Sequence, residues 1–385
     1  MGLMTRRPPT STPKRIAFAG VATAAVLALL EGGFRVVVSA TSARLDRMIS
    51  DYRSRYYSQT NQELKYRPHP YFGYVRVDRG PSDEVNTLGF WGPEWPLEKP
   101  TDGLRVVALG GSTTAGPAAW PYQLGGMLDQ ALEDRTVDVI NLGLGGWTSA
   151  EAVAAFSMIG VSYAPDVVVV HCVNNDLEPM RAMEPVVDYS HYRRAMNVVQ
   201  TDSGSARFRQ DPSDVVDALL AQASSLYVYG RLFQSGAIAP RASLHALTTW
   251  TRPTRAEPSA MGVHIYERNL RSIAALAEAN GATMVVATMP ILSSPRPGIP
   301  TIPDGHIRSL EAQNQRLRDL AAAEGWVLAD LALLAEELTP YFEDAIHVSI
   351  GGEKIKARGV WAALVDAGVV QGTSAPSLMP GEASR

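Results

Sequence analysis

Four consecutive valines inside residues 166–172, DVVVVHC, constrain this chain more than any other feature. An unbroken β-branched run has no polar face to turn toward water, so it reads as a strand buried on both sides. Such strands belong to parallel sheets covered by helices, and the neighbouring pattern agrees. Short apolar runs at 106–109, 137–141, 284–287 and 327–328 alternate with segments of helical periodicity. A helix opens at Pro121 with Leu124, Met127 and Leu128 on its apolar face, and Thr148 with Glu151 matches a capping box for a second. Tyr266, Leu270, Ile273 and Ala277 define a third, ending near Gly281, and residues 307–324 a fourth, stopped at Gly325. Five strands separated by helices imply one parallel sheet with helices on both faces.

With 385 residues and 46% hydrophobic content, the chain can bury a sizeable core. A formal net charge of −4 carries no basic excess, which argues against a nucleic-acid partner. The single cysteine, Cys172, rules out an internal disulfide framework and a cysteine-based metal cluster.

Before the sheet region, Arg6, Arg7, Lys14 and Arg15 precede an uncharged apolar run over residues 16–30. Basic residues followed by such a run mark an export signal whose N-terminus stays inside. Fifteen residues of helix reach about 22 Å, short of a bilayer core of about 30 Å, so residues 32–38 are expected to add length. An uncleaved anchor is the preferred reading; a signal peptide cut after Ala40 is its rival, with Glu31 and Arg35 an awkward approach to the cut, and a cytosolic core helix is the third. An amphipathic stalk is expected over 42–57, where Leu45, Met48, Ile49, Tyr52 and Tyr56 keep helical spacing, and an irregular segment with short hairpins up to about 97. The domain plan is therefore residues 1–40 as tail and anchor, 41–103 as stalk and pre-domain segment, 104–370 as the main domain, and 371–385 as a disordered tail. Residues 177–261 form an insertion or lid, helical over 214–233 and loop-like over 240–258.

Chemistry-bearing residues collect where strands end. LRVVALGGSTTAG runs from a strand into Gly110-Gly111 and then Ser112, a place suited to a nucleophile. The spacing of Gly111 and Gly116 is that of a phosphate loop, but Pro117-Ala118 stands where lysine and a hydroxyl residue belong. Thr114 likewise breaks the G-x-S-x-G elbow. Gly145-Gly146 precedes the capped helix, where free N–H groups favour negative charge, and the Gly143-Leu144-Gly145 spacing lacks the third glycine of a dinucleotide loop. Asn174-Asn175-Asp176 ends the valine strand, and read alone it is equally an Asx turn. Asp344 lies three residues before His347, so the carboxylate can orient the imidazole while the far ring nitrogen reaches a serine. As a metal pair the two lack a third ligand, and no metal or cofactor is expected.

Taken in order, Gly110-Gly111-Ser112, Asn141 through Gly146, Asn175-Asp176 and Asp344 through His347 make the sequence resemble the SGNH (GDSL-like) hydrolases, over about residues 104–364. The likeness continues through DAIHVSIGG, and NTLGFWGP at 86–93 resembles the segment preceding the first block in membrane-anchored members. Two departures stand out: Gly111 replaces the usual Asp, and Val173-Asn174 replaces the glycines before Asn175-Asp176. The resemblance implies a flavodoxin-like three-layer α/β/α sandwich with a five-stranded parallel sheet. It implies Ser112 as nucleophile, His347 as general base and Asp344 as its orienting carboxylate. The oxyanion hole would be the N–H groups of Ser112 and Gly146 with the Asn175 amide. The expected activity is an extracytoplasmic serine esterase that removes O-acyl, particularly O-acetyl, groups from a carbohydrate or related ester. An O-acyltransferase of a cell-surface glycan and a non-catalytic glycan-binding or scaffold protein are the alternatives; acyl length, acceptor and oligomeric state are not legible.

Overall fold

The computed structural model describes residues 12–42, 45, 49, 66–76, 84–193, 197–200, 206–209, 212–234, 254–294, 296, 297, 299 and 302–370. These fall into two compact units.

The larger unit, Lys65–Met196 with Leu244–Arg385, holds the sheet. Its strands are β1 (Leu104–Gly110), β2 (Val137–Asn141), β3 (Val167–His171), β4 (Thr283–Ala287) and β5 (Val327–Ala329). All neighbours are parallel and the order is β2-β1-β3-β4-β5. This is the flavodoxin-like order, which reverses direction between β1 and β3 and opens a crevice at their carboxyl ends. The register pairs Ala108 with Asn141 and Gly110 with His171, so the ends of β1, β2 and β3 come level. Every residue of β1 and β3 is buried, as the continuous apolar runs require.

Helices α1 (Trp120–Ala131), α2 (Ser149–Met158), α3 (Ala260–Ala279), α4 (Asp304–Glu324) and α5 (Ile350–Asp366) connect or follow the strands. Trp120, Leu124 and Leu128 of α1 join Val360, Trp361 and Leu364 of α5 over one face of the sheet, against Val106, Val169 and Val285. Helices α2 and α3 pack on each other. The capping box on α2 forms as expected, Thr148 accepting from Ala150 and Glu151 accepting from the Thr148 N–H at 2.7 Å. Pro121 lies in the first turn of α1 and Gly325 ends α4 in a left-handed cap, each where its backbone preference places it.

The segment before β1 contains a hairpin, Tyr66–His69 with Gly73–Arg76. Its tail is tied to the sheet by Arg105, a fully buried cation on β1. The guanidinium pairs with Asp138 at 2.9 Å and donates to the carbonyls of Pro96, Leu97, Glu98 and Tyr163. A buried charge is tolerated only when its donors are met in this way.

The smaller unit, Met1–Leu64 with Asn197–Ser243, contains one helix, Thr12–Thr41, and two shorter ones, Pro212–Ala223 and Ser225–Gln234. Within the long helix, Ile16–Thr41 is an apolar span whose most hydrophobic 18-residue window has mean hydropathy 1.8. Those 26 residues reach about 39 Å, enough to cross a bilayer core of about 30 Å, with 32–38 contributing as expected. The helical stretch read at 214–233 is broken at Ser224, where Glu31 of the long helix accepts from the Ser224 hydroxyl (2.8 Å) and the N–H groups of Ser225 (2.6 Å) and Leu226 (3.1 Å). Arg35 donates to the Ala223 carbonyl at 3.0 Å, so one ion pair serves both helix ends at the break. Most of the stalk expected at 42–57, much of 240–258, and residues 371–385 lie outside the described residues.

Candidate active site

The crevice at the switch point is built from four chain segments. Ser112 stands two residues beyond β1, in a turn where the N–H groups of Thr114 and Ala115 both donate to the Gly111 carbonyl. That turn is fastened from below. Asn141, ending β2, donates to the Thr114 carbonyl at 2.8 Å, and the buried Lys356 of α5 donates to the Thr113 carbonyl at 2.6 Å. Glu353 neutralises Lys356 at 3.0 Å and accepts the Trp120 N–H that opens α1. Burial lowers the Lys356 pKa while Glu353 raises it.

His347 and Asp344 come from the turn before α5. The His347 ring sits between Asp344 and Ser112, with Nδ1 2.7 Å from Asp344 Oδ2 and Nε2 2.7 Å from Ser112 Oγ. The other carboxylate oxygen of Asp344 accepts the N–H groups of Ile346 (2.8 Å) and His347 (2.7 Å). Burial pushes the Asp344 pKa up, but the His347 ring and these two N–H groups outweigh it and hold the carboxyl at about 2. An ionised carboxylate only accepts, so Nδ1 carries the imidazole proton and Nε2 presents its lone pair to the Ser112 hydroxyl. Asp330, at the end of β5, is occupied elsewhere, accepting from Arg318 and Thr288, each at 2.7 Å.

Asn175 follows β3 and donates its amide N–H to the Trp147 carbonyl at 2.8 Å. Its nitrogen lies over Gly111: a Cβ at that position would meet Asn175 Nδ2 at 2.4 Å. Gly111, Ser112, Trp147, Asn174, Asn175 and Ile346 contribute to a crevice of ≈ 10 Å³, room for about one water. Gly146 sits in the turn beside it, one residue before Trp147, with φ +79°. Tyr74 donates to the Gly145 carbonyl at 2.7 Å, and Arg193 donates to the Gly146 carbonyl while pairing with Glu151. Below, the buried carboxylate of Asp176 accepts from Ser149 N–H and hydroxyl and from Tyr189. Burial raises its pKa to about 7 against these hydrogen bonds.

Ser112 and Asn175 thus share one crevice, and His347 and Asp344 join it through the hydrogen bond to Ser112. Sequence reasoning missed the supports: Lys356 with Glu353, Arg193, Tyr74 and, treated below, His306. Only the first pair carried a signal, a Glu and a Lys three apart directly after the DAIHVSIGG run.

Comparison with known proteins places these residues in a family context. No curated protein matches the chain by sequence. Among solved structures it is similar to Axe2, an acetylxylan esterase from Geobacillus stearothermophilus, at 14% identity and TM-score 0.41 over 68% of this chain and 95% of that one. It is also similar to TesA, at 16% identity and TM-score 0.37 over 68% and 98%. LAE5, an alpha/beta hydrolase from the metagenome of Lake Arreo, Spain, matches at 14% identity and TM-score 0.39 over 69% and 96%. The family model for GDSL-like lipases and acylhydrolases matches residues 108–355, well over half of the chain and a range that includes all four blocks. The chain belongs to the GDSL-like lipase/acylhydrolase family and is a carboxylic ester hydrolase.

Proposed function

We propose that the protein is a membrane-anchored, extracytoplasmic serine esterase that works through an acyl-enzyme, with 104–370 as its hydrolase domain and 177–261 as an insertion. The observation that carries this reading is the line Ser112 Oγ, His347 Nε2, His347 Nδ1, Asp344 Oδ2, each contact 2.7 Å. Ser112 attacks the ester carbonyl as its proton passes to His347 Nε2; Asp344 stabilises the imidazolium, and the carbonyl oxygen becomes an oxyanion. The Ser112 and Gly146 N–H groups and the Asn175 amide stabilise that charge. His347 then protonates the departing alcohol, leaving an acyl-Ser112. Water, deprotonated by the same histidine, attacks the acyl carbon, and the released Ser112 oxygen takes the proton back as the carboxylic acid leaves.

Family resemblance supports an O-acyl, particularly O-acetyl, group on a carbohydrate or related ester as the substrate. The basic cluster before residue 16 supports a cytoplasmic N-terminus. The contacts of Glu31 and Arg35 with residues 223–226 support retention of the helix, since cleavage after Ala40 would strip them away. Labelling with a fluorophosphonate and peptide mapping tests the chemistry. Modification is expected at Ser112 and lost in His347→Ala; a folded protein left unmodified at Ser112 overturns it.

A further inference from the structure

The third block departs from its family at Asn174, where glycine is usual, and the structure gives this side chain partners on both sides. Its Nδ2 donates to Asn175 Oδ1 at 3.3 Å, while its own Oδ1 lies 3.0 Å from Nε2 of His306, in the first turn of α4. The far nitrogen of that ring, Nδ1, lies 3.4 Å from Nη1 of Arg181. An arginine only donates, so His306 Nδ1 accepts and Nε2 holds the ring proton, which it gives to Asn174. A single chain of donors therefore runs from Arg181 through His306 and Asn174 to Asn175, and from Asn175 to the Trp147 carbonyl. Every link has the same direction, so each fixes the orientation of the next amide.

We propose that His306 is a positioning residue for the ester hydrolysis, acting through Asn174 to hold the Asn175 amide with its nitrogen toward the oxyanion. The inference rests on the proposed role of Asn175 as an oxyanion donor. The Trp147 carbonyl holds the Asn175 nitrogen, and Asn174 holds its oxygen; together they oppose rotation of the amide plane. A glycine at 174 leaves the oxygen without that partner, and the histidine explains why an amide side chain is accommodated where the family has none. Burial and the Arg181 charge lower the His306 pKa, with Glu178 opposing, which favours the neutral ring that this direction of hydrogen bonding requires.

The role concerns a charge that develops in the transition state, so its loss appears in kcat and not in KM. Loss of one neutral hydrogen bond corresponds to about 3- to 10-fold. On a short-chain aryl ester, His306→Ala is expected to lower kcat by about that factor, with KM changed less than about twofold. His306→Gln, whose amide N–H can still donate to Asn174, is expected to restore most of the rate. In an Asn174→Ala background His306→Ala is expected to add nothing, because the link it acts through is already gone. Thermal melting of each variant confirms that the rates belong to folded enzyme. An unchanged kcat in His306→Ala, a loss confined to KM, a failure of folded His306→Gln to recover, or a full independent loss in the Asn174→Ala background overturns the inference. Asn175→Ala separates the two levels: if it leaves kcat intact, the oxyanion reading itself fails, whereas a large loss there beside a silent His306→Ala removes only the relay.

Discussion

Asp344→Asn is the substitution whose outcome the geometry determines most completely. Asp344 divides its oxygens between two tasks, one accepting the Ile346 and His347 N–H groups and the other the imidazole proton. Asparagine has one acceptor and one donor end. Two fixed backbone donors at 2.7 and 2.8 Å claim the oxygen, which leaves the NH2 facing His347 Nδ1. Nδ1 must then accept, the ring proton moves to Nε2, and the lone pair that takes the Ser112 proton is lost. Loss of tautomer control in a serine triad costs about 10⁴-fold in kcat, roughly 5 kcal/mol in the barrier. Stability tells a different story. The Asp344 side chain is 46% exposed, so solvent screening limits its pairing energy to about 1 kcal/mol or less, and the backbone turn keeps its acceptor. The melting temperature should fall by no more than about 4 °C. Initial rates on p-nitrophenyl acetate, normalised to folded protein, check both numbers. A folded Asp344→Asn enzyme with more than about a tenth of wild-type kcat would refute the argument.

Asn175→Ala should lower kcat by about 100- to 1000-fold with little change in KM, as loss of an oxyanion donor does; steady-state kinetics beside a melting curve separates this from a merely turn-forming asparagine, which would cost stability and spare the rate. Asp176, raised to about 7 in the folded state, binds its proton more tightly there than unfolded, so its contribution is full below about pH 3.8 and lost as pH rises through about 7. Urea unfolding at pH 4.5 and 7.5 should show a fall of about 3 kcal/mol in wild type and a much smaller one in Asp176→Asn; parallel falls would count against it. Finally, the intact chain should fractionate with membranes and keep its N-terminal helix, and a soluble mature form beginning near Thr41 would show that the helix is a cleaved signal.

The sheet was legible because burial on both faces leaves continuous apolar runs: β2 and β3 begin and end within a residue of the runs at 137–141 and 166–172, while β1 starts two residues ahead of the run at 106–109. The capping box at Thr148 and the glycine at 325 were legible for a similar reason, since helix ends have few chemical solutions. The Ser112, Asp344 and His347 cluster depended on residues 235 positions apart in sequence, and only the ordered set of blocks suggested their meeting. What stayed hidden was support across long separations. Lys356 meets the Thr113 carbonyl 243 residues away, announced only by its spacing from Glu353, and His306 meets Asn174 through a side chain whose local sequence reads as ordinary helix surface. The break at Ser224 was hidden too, because the carboxylate that caps it lies 193 residues earlier.

Gly111 shows how a departure from the family pattern becomes a constraint. Aspartate is usual at this position, yet here a Cβ would lie 2.4 Å from Asn175 Nδ2 and 3.1 Å from the Trp147 carbonyl oxygen. Real Cβ atoms do not approach that closely, so something must move, and the backbone carbonyl is the less free of the two. Asn175 must give way, breaking its 2.8 Å bond to Trp147 and turning its nitrogen from the crevice. Gly111→Ala should therefore act through Asn175. Its loss in kcat should approach that of Asn175→Ala, about 100-fold, with KM little changed. In the Asn175→Ala background the amide is already absent and the space is open, so adding Gly111→Ala should cost no more than about a further twofold. Multiplying losses in the double variant, or wild-type turnover in Gly111→Ala alone, would show that the amide and the glycine are independent.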